Sequence, residues 1–342
     1  MSTQGFVDFR GGRTWYRITG DLDRPQTPLL CLHGGPGGTS DLFAPLDELA
    51  TTGRSVVVYD QLGSGRSERR TDPSLWTIET YLDELATVRA QLGLDHVHLL
   101  GHSWGGMLAL EYLLTKPAGV RSLILASTLA STQMWCDEAE RLRSAMPAYL
   151  VAAMRRCEGS LRPHEPNRDK ATKNLDDAAI GKRAAMMAKV MPLAMSDAAG
   201  RVASLMSYVP PLRKFAYEIL GGQFGKRHGS RADPLPTELL KIFAGMNREI
   251  YQHMWGPSEF RATGTLLGWD VSSRLHEIDV PTLITAGRYD ESTPAVNDVL
   301  EKGIAGAERV TFENSAHCAP VEEPQAFRDA VASFIGRYDG SP

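Results

Sequence analysis

"GHSWGGMLALEYL", residues 101–113, sets one serine between glycines, directly after the β-rich run HVHLL and just ahead of an apolar helical pattern starting at Met107. Gly101-His102-Ser103-Trp104-Gly105 has the G-x-S-x-G form in a strand-turn-helix context. Such a turn lifts the serine hydroxyl off the end of a sheet, and the flanking residues must be glycine because side chains would clash there. Ser103 is the candidate nucleophile around which the remaining segments are read.

Working outward, short β-like runs alternate with helical periodicity through the first 130 residues. Strands are expected at 15–18, 29–32, 55–59, 97–100 and 122–126. Between two of them Ile78, Tyr81, Leu82, Leu85, Val88 and Leu92 recur at helical spacing, with Gly93 as the stop. This alternation predicts βαβ units and a mostly parallel sheet. From about Met134 to Trp255 the chain turns rich in methionine and alanine with charges at helical spacing, which predicts a helical insertion. Its methionines either fill the insertion's own core or adapt around an apolar ligand. The α/β character returns with VPTLITAG (280–287) and ERVTFE (308–313), followed by an amphipathic helix opened by Pro324. The expected organisation is a core of 1–133 and 258–342 carrying a helical cap of 134–257.

A nucleophilic serine needs a base, and the base an orienting acid. In this topology they follow in the order Ser, Asp or Glu, His. Asp290, in LITAGRYDEST, and His317, in VTFENSAHCAP, each lie on a loop after a strand candidate, where catalytic groups of open α/β sheets gather. Donors for a developing oxyanion are expected from the Gly35 amide, in HGGPGG (33–38), and from the amide of Trp104. The glycine loop lacks the Gly-Lys-Ser/Thr of a phosphate cradle and the G-x-G-x-x-G of a dinucleotide site. In YDQLGSGRS (59–67), Asp60 and Arg66 are read as holding a structural loop, and His102 and Cys318 as structural neighbours of the nucleophile and base.

Bulk properties narrow the function further. The chain has 342 residues and a formal net charge of −4, so no electrostatic footprint for nucleic acid is present. The start MSTQGFVDFRGG has no apolar signal core, and no run approaches a membrane span. The four cysteines (31, 136, 157 and 318) are scattered without metal-ligand spacing. A cytoplasmic, soluble enzyme without metal or organic cofactor is expected. Its oligomeric state is left open.

Together HGGPGG, YDQLGSGRS, GHSWGG and GRYDEST resemble the proline iminopeptidase family of α/β-hydrolase serine peptidases, over nearly the whole chain. MWGPSEFRATGTLLGWD (254–270) and the Asp-Glu pair at 290–291 are similar to the branch holding the tricorn-interacting aminopeptidase and the L-prolinamide amidases. The resemblance implies an α/β-hydrolase fold with an inserted cap, and cleavage of the amide after a free amino-terminal residue, proline or a small apolar one. It implies a small-molecule or peptide substrate whose α-ammonium is held by Glu259 and Glu291, with Tyr251 helping to position it. Paired carboxylates suit that task, because they hold a cation and reject N-blocked substrates. Two departures loosen strict proline specificity: Leu62-Gly63 follows Asp60-Gln61 where better-known members carry Arg-Gly, and the elbow begins Gly-His-Ser rather than Gly-Gly-Ser. The leaving group stays open between ammonia, a peptide and a larger amine. An esterase, an aminoacyl transferase and a non-catalytic binder could all keep the same triad.

Overall fold

The computed structural model describes residues 1–159 and 174–340. Among them, eight strands form one sheet: β1 (Ser2–Phe9), β2 (Gly12–Thr19), β3 (Leu29–Leu32), β4 (Val56–Tyr59), β5 (Val97–His102), β6 (Val120–Ala126), β7 (Thr282–Gly287) and β8 (Glu308–Phe312). Their order is β1-β2-β4-β3-β5-β6-β7-β8. β1 pairs antiparallel with β2 and β2 with β4; every other pairing is parallel.

The central strands are continuous apolar runs because helices cover both faces of the sheet. Alternation divides them between two cores. Leu30, Leu32, Val57 and Tyr59 face α1 (Ile78–Gln91) and α2 (Trp104–Leu114). Leu29, Cys31, Val56 and Val58 face the turns of 40–52 and the last helix, through Phe43, Leu46, Phe327, Val331 and Phe334. The α1 pattern lands as expected, with Thr77 capping its first turn by accepting from the Thr80 amide.

β1 is a strand the sequence pattern did not suggest. It lies on the edge, with only Val7 and Phe9 buried and Phe6 exposed, so its alternation is too sparse to read. The helix after the elbow also begins earlier than expected, at Trp104 rather than Met107. Gly105 and Gly106 are poor helix formers that packing keeps helical: a Cβ on Gly105 would lie 2.0 Å from the Leu32 oxygen.

Between β6 and β7 the described chain is helical: α3 (Thr132–Ser144), α4 (Ala148–Glu158), α5 (Asp177–Ala194), α6 (Asp197–Met206), α7 (Arg213–His228), α8 (Thr237–Gly245) and α9 (Arg248–Met254). α10 (Pro294–Gly303) follows β7, and α11 (Ala319–Glu322) and α12 (Pro324–Ile335) close the chain. No helix among the described residues is long and apolar enough to cross a membrane.

Candidate active site

Ser103 sits between β5 and α2 with φ 54° and ψ −120°, in the left-handed half of φ space that side-chain-bearing residues avoid. Such a conformation costs about 1–3 kcal/mol and persists only where its surroundings over-determine it. Here Ser103 N–H donates to the Ala126 oxygen at 3.0 Å, and its own carbonyl accepts from the Gly106 amide at 2.8 Å and the Thr128 hydroxyl at 2.7 Å. A Cβ on Gly101 would lie 2.3 Å from the Gly105 oxygen, so the turn closes only with glycine.

The loops that carry Asp290 and His317 meet at the ends of β7 and β8. His317 Nδ1 lies 2.8 Å from Asp290 Oδ1. That carboxylate also accepts from the Ser292 amide at 2.8 Å, which fixes its orientation. Ser292 in turn donates its hydroxyl to the Thr128 oxygen, tying the acid loop to the residue that holds the elbow. His317 stacks edge-on against Trp135 with ring centroids 5.8 Å apart, and Trp135 lines one pocket with Ser103.

That pocket is walled by Gly35, Ser103, Trp104, Met107, Leu129, Trp135, Trp255 and Glu259. Its cavity measures about 10 Å³, room for about one water molecule. The methionines of the inserted helices are not among its walls; Trp135 and Trp255 take that place.

Gly35 and Trp104 are both present at the pocket. Trp104 is the first residue of α2, so its N–H belongs to the first turn, which has no intrahelical acceptor. Gly35 has φ +127°, which a side chain would not tolerate. Sequence reasoning passed over the residue that joins these two. Gln61 donates from Nε2 to the His33 oxygen at 3.0 Å and accepts the Trp104 indole N–H at 2.8 Å. Its own amide donates to His33 Nε2 at 2.9 Å. Burial lowers the His33 imidazole, in keeping with its acceptor role. Asn247, at the start of α9, donates its amide to the Gly37 oxygen and its side chain to the Gly63 oxygen, joining the inserted helices to both glycine loops. Asp60 and Arg66 do hold their loop: Asp60 accepts from Arg66 at 2.8 Å and from the Ser40 amide at 2.8 Å, while Arg66 also pairs with Asp41 and Asp177.

The acidic residues singled out for amine binding surround His317. Glu291, buried next to Asp290, has Oε1 3.9 Å from His317 Nδ1 and an Oε2 without a hydrogen-bond partner. Glu259, on the pocket wall, accepts the Tyr251 hydroxyl proton. Burial, then the charge of Glu259, pushes the Glu291 carboxyl well above the usual carboxylate range, and burial raises Glu259 too. Burial by itself lowers His317, but the charges of Asp290, Glu291 and Glu259 outweigh it and push the imidazole up to about 9. The cluster therefore crowds three carboxyl groups around one imidazole. His228, at the end of α7, also reaches the site: its carbonyl accepts from the His317 amide at 3.1 Å and its Nδ1 donates to the Tyr289 oxygen at 2.9 Å.

Comparison with known proteins identifies the family and the fold. Residues 27–203 match the alpha/beta hydrolase fold family. A proline iminopeptidase from Levilactobacillus brevis is 37% identical over 98% of this chain and 96% of its own, and one from Heyndrickxia coagulans is 33% identical over 98% and 99%. Among solved structures, VinJ superposes with a TM-score of 0.79 at 30% identity, covering 98% of this chain and 99% of VinJ. The proline iminopeptidase of Mycobacterium smegmatis gives 0.77, also at 30% identity and the same coverage. With full-length relatives of one kind and a shared fold, the chain is a hydrolase of the aminopeptidase type and belongs to the proline iminopeptidase family of α/β-hydrolases.

Proposed function

We propose that this protein removes an amino-terminal proline or small apolar residue from a peptide or small amide through a Ser103-His317-Asp290 triad. The observation that carries the reading is the position of His317. It is bonded to Asp290, has Glu291 at 3.9 Å, and stacks on the tryptophan that shares a pocket with Ser103 and Glu259.

His317, oriented by Asp290, takes the Ser103 proton as the hydroxyl attacks the carbonyl of the terminal residue. The oxyanion rests on the Gly35 and Trp104 amides. The amine departs with the proton from His317, and water then hydrolyses the aminoacyl-enzyme. Glu259 and Glu291, with Tyr251 orienting Glu259, hold the substrate's α-ammonium; the place of Glu291 beside His317 and of Glu259 on the wall of the Ser103 pocket supports this. Residues 134–257 act as a cap over the core of 1–133 and 258–342, and four free cysteines fit a cytoplasmic setting.

The test is initial rates on L-prolyl, L-alanyl and N-acetyl-L-alanyl p-nitroanilides, for wild type and Ser103→Ala. Free-amine substrates alone should be cleaved, and Ser103→Ala should lower kcat by about 10⁴–10⁶-fold. Equal cleavage of the blocked substrate would transfer the assignment to a general amidase or esterase.

A further inference from the structure

The last turn of α7 meets both loops that carry Asp290 and His317. A helix leaves its final carbonyls without intrahelical donors, and here the His228 oxygen accepts from the His317 amide at 3.1 Å. The His228 side chain turns to the other loop, with Nδ1 2.9 Å from the Tyr289 oxygen. A carbonyl only accepts, so Nδ1 carries the proton. Burial lowers this imidazole, in keeping with a neutral ring that donates from Nδ1. The peptide unit that begins at the Tyr289 oxygen ends at the Asp290 nitrogen, so this bond fixes the plane from which Asp290 springs.

Neighbouring contacts hold the turn in place. Glu322 accepts from the Arg231 amide at 2.6 Å and from the Ala316 amide at 3.0 Å, so one carboxylate serves the end of α7 and the residue before His317. The Arg231 guanidinium stands over the Tyr289 ring, 3.8 Å from its centroid. Tyr289 N–H donates to the Ser315 oxygen at 3.1 Å, which joins the two loops to each other. On its inner side the His228 ring packs on Phe224 with centroids 4.9 Å apart, and Phe224 packs on Phe260, the neighbour of Glu259. Because α7 also packs against α4 and α6, His228 is where the inserted helices grip the chain on either side of the Asp290–His317 hydrogen bond.

We propose that His228 is a positioning residue for the reaction: its Nδ1–H holds the peptide ahead of Asp290, its carbonyl holds the His317 amide, and the inserted helices thereby set this pair against Ser103. The inference rests on the Ser103-His317-Asp290 reading given above. A displacement of about 1 Å at reacting groups costs ~100-fold in rate, so a slackened grip on these two loops is felt in turnover.

The test compares His228→Asn with His228→Gln in the full-length protein, by steady-state kinetics on L-prolyl p-nitroanilide. An Asn side-chain nitrogen stands near the place of Nδ1 and a Gln nitrogen near that of Nε2. Asn therefore keeps the bond to Tyr289, whereas Gln keeps more of the bulk and loses the bond. His228→Asn should stay within about threefold of the wild-type kcat, and His228→Gln should fall by about tenfold or more, with KM little changed in both. The far-downfield proton resonance of the His317–Asp290 hydrogen bond should persist in His228→Asn and broaden or vanish in His228→Gln. Equal kcat in the two variants, a raised KM at wild-type kcat, or an unaltered resonance in His228→Gln would each overturn the positioning role. Ser103→Ala separates the two claims. If it keeps wild-type turnover, the triad reading falls and this inference with it; if it is inactive while the Asn and Gln variants match, this inference alone falls.

Discussion

His102 Nε2 lies 2.9 Å from the main-chain oxygen of His317, and the two rings meet edge-on with centroids 4.7 Å apart. A carbonyl only accepts, so the proton sits on Nε2 and the buried Nδ1 is left bare, without a partner. Burial, then the charge of His317, lowers His102 to about 3, so it stays neutral wherever the enzyme works. The residue before Ser103 thus braces the backbone of His317.

Removing that brace should be felt in turnover more than in binding. His102→Ala leaves the His317 carbonyl without its donor, at a cost of about 1–3 kcal/mol. Steady-state kinetics on L-prolyl p-nitroanilide should show kcat falling several-fold with KM little changed, and His102→Gln should recover part of it. Lower stability in urea with unchanged kcat would reduce His102 to a packing role.

Glu291 tunes His317 through space, and this sets the pH dependence. His317 must be neutral to act as a base, so activity rises with pH as its proton leaves, and neighbouring carboxylates shift that rise upward from the ordinary histidine range toward about 9. Glu291→Gln removes one negative charge and should move the acidic limb of kcat/KM to lower pH. Comparing both enzymes on one substrate cancels the substrate's own titration. An unmoved limb would mean that Glu291 is not charged in the free enzyme.

Glu259→Gln keeps an acceptor for the Tyr251 hydroxyl but loses the charge on the pocket wall. If the carboxylate pairs with an ammonium, kcat/KM for L-prolyl p-nitroanilide should fall by about 30-fold or more, as for other close charge pairs. Any residual rate on the N-acetyl substrate should stay level. A parallel loss on both would point to a structural role.

Gln61 joins the glycine loop after β3 to the turn at Ser103, bonding His33 on one side and the Trp104 indole on the other. Gln61→Ala strands both partners in the interior and should cost about 1–3 kcal/mol for each, read by urea unfolding. Burst kinetics should show slower acylation, because the Gly35 and Trp104 amides lose their common anchor.

Much of this was legible in order and spacing. The G-x-S-x-G turn, the acid and base each on a loop after a strand, and the glycine loop after β3 are local patterns, and local patterns survive in one dimension. Other residues carry no such mark. The partners of Gln61 lie 28 and 43 positions away, Asn247 reaches back 184 to Gly63, and His102 meets an oxygen 215 residues further on. β1 was hidden because an edge strand with two buried side chains has little periodicity.

The sequence by itself determined the α/β alternation, the elbow and the identity of Ser103, Asp290 and His317 as candidates, because strand-end loops and close-approach glycines are written in neighbouring residues. The tertiary structure alone decided which groups crowd His317. Asp290, Glu291 and Glu259 act on one imidazole only after β7, β8 and the chain beyond α9 converge, and their mutual influence depends on burial that no linear pattern reports.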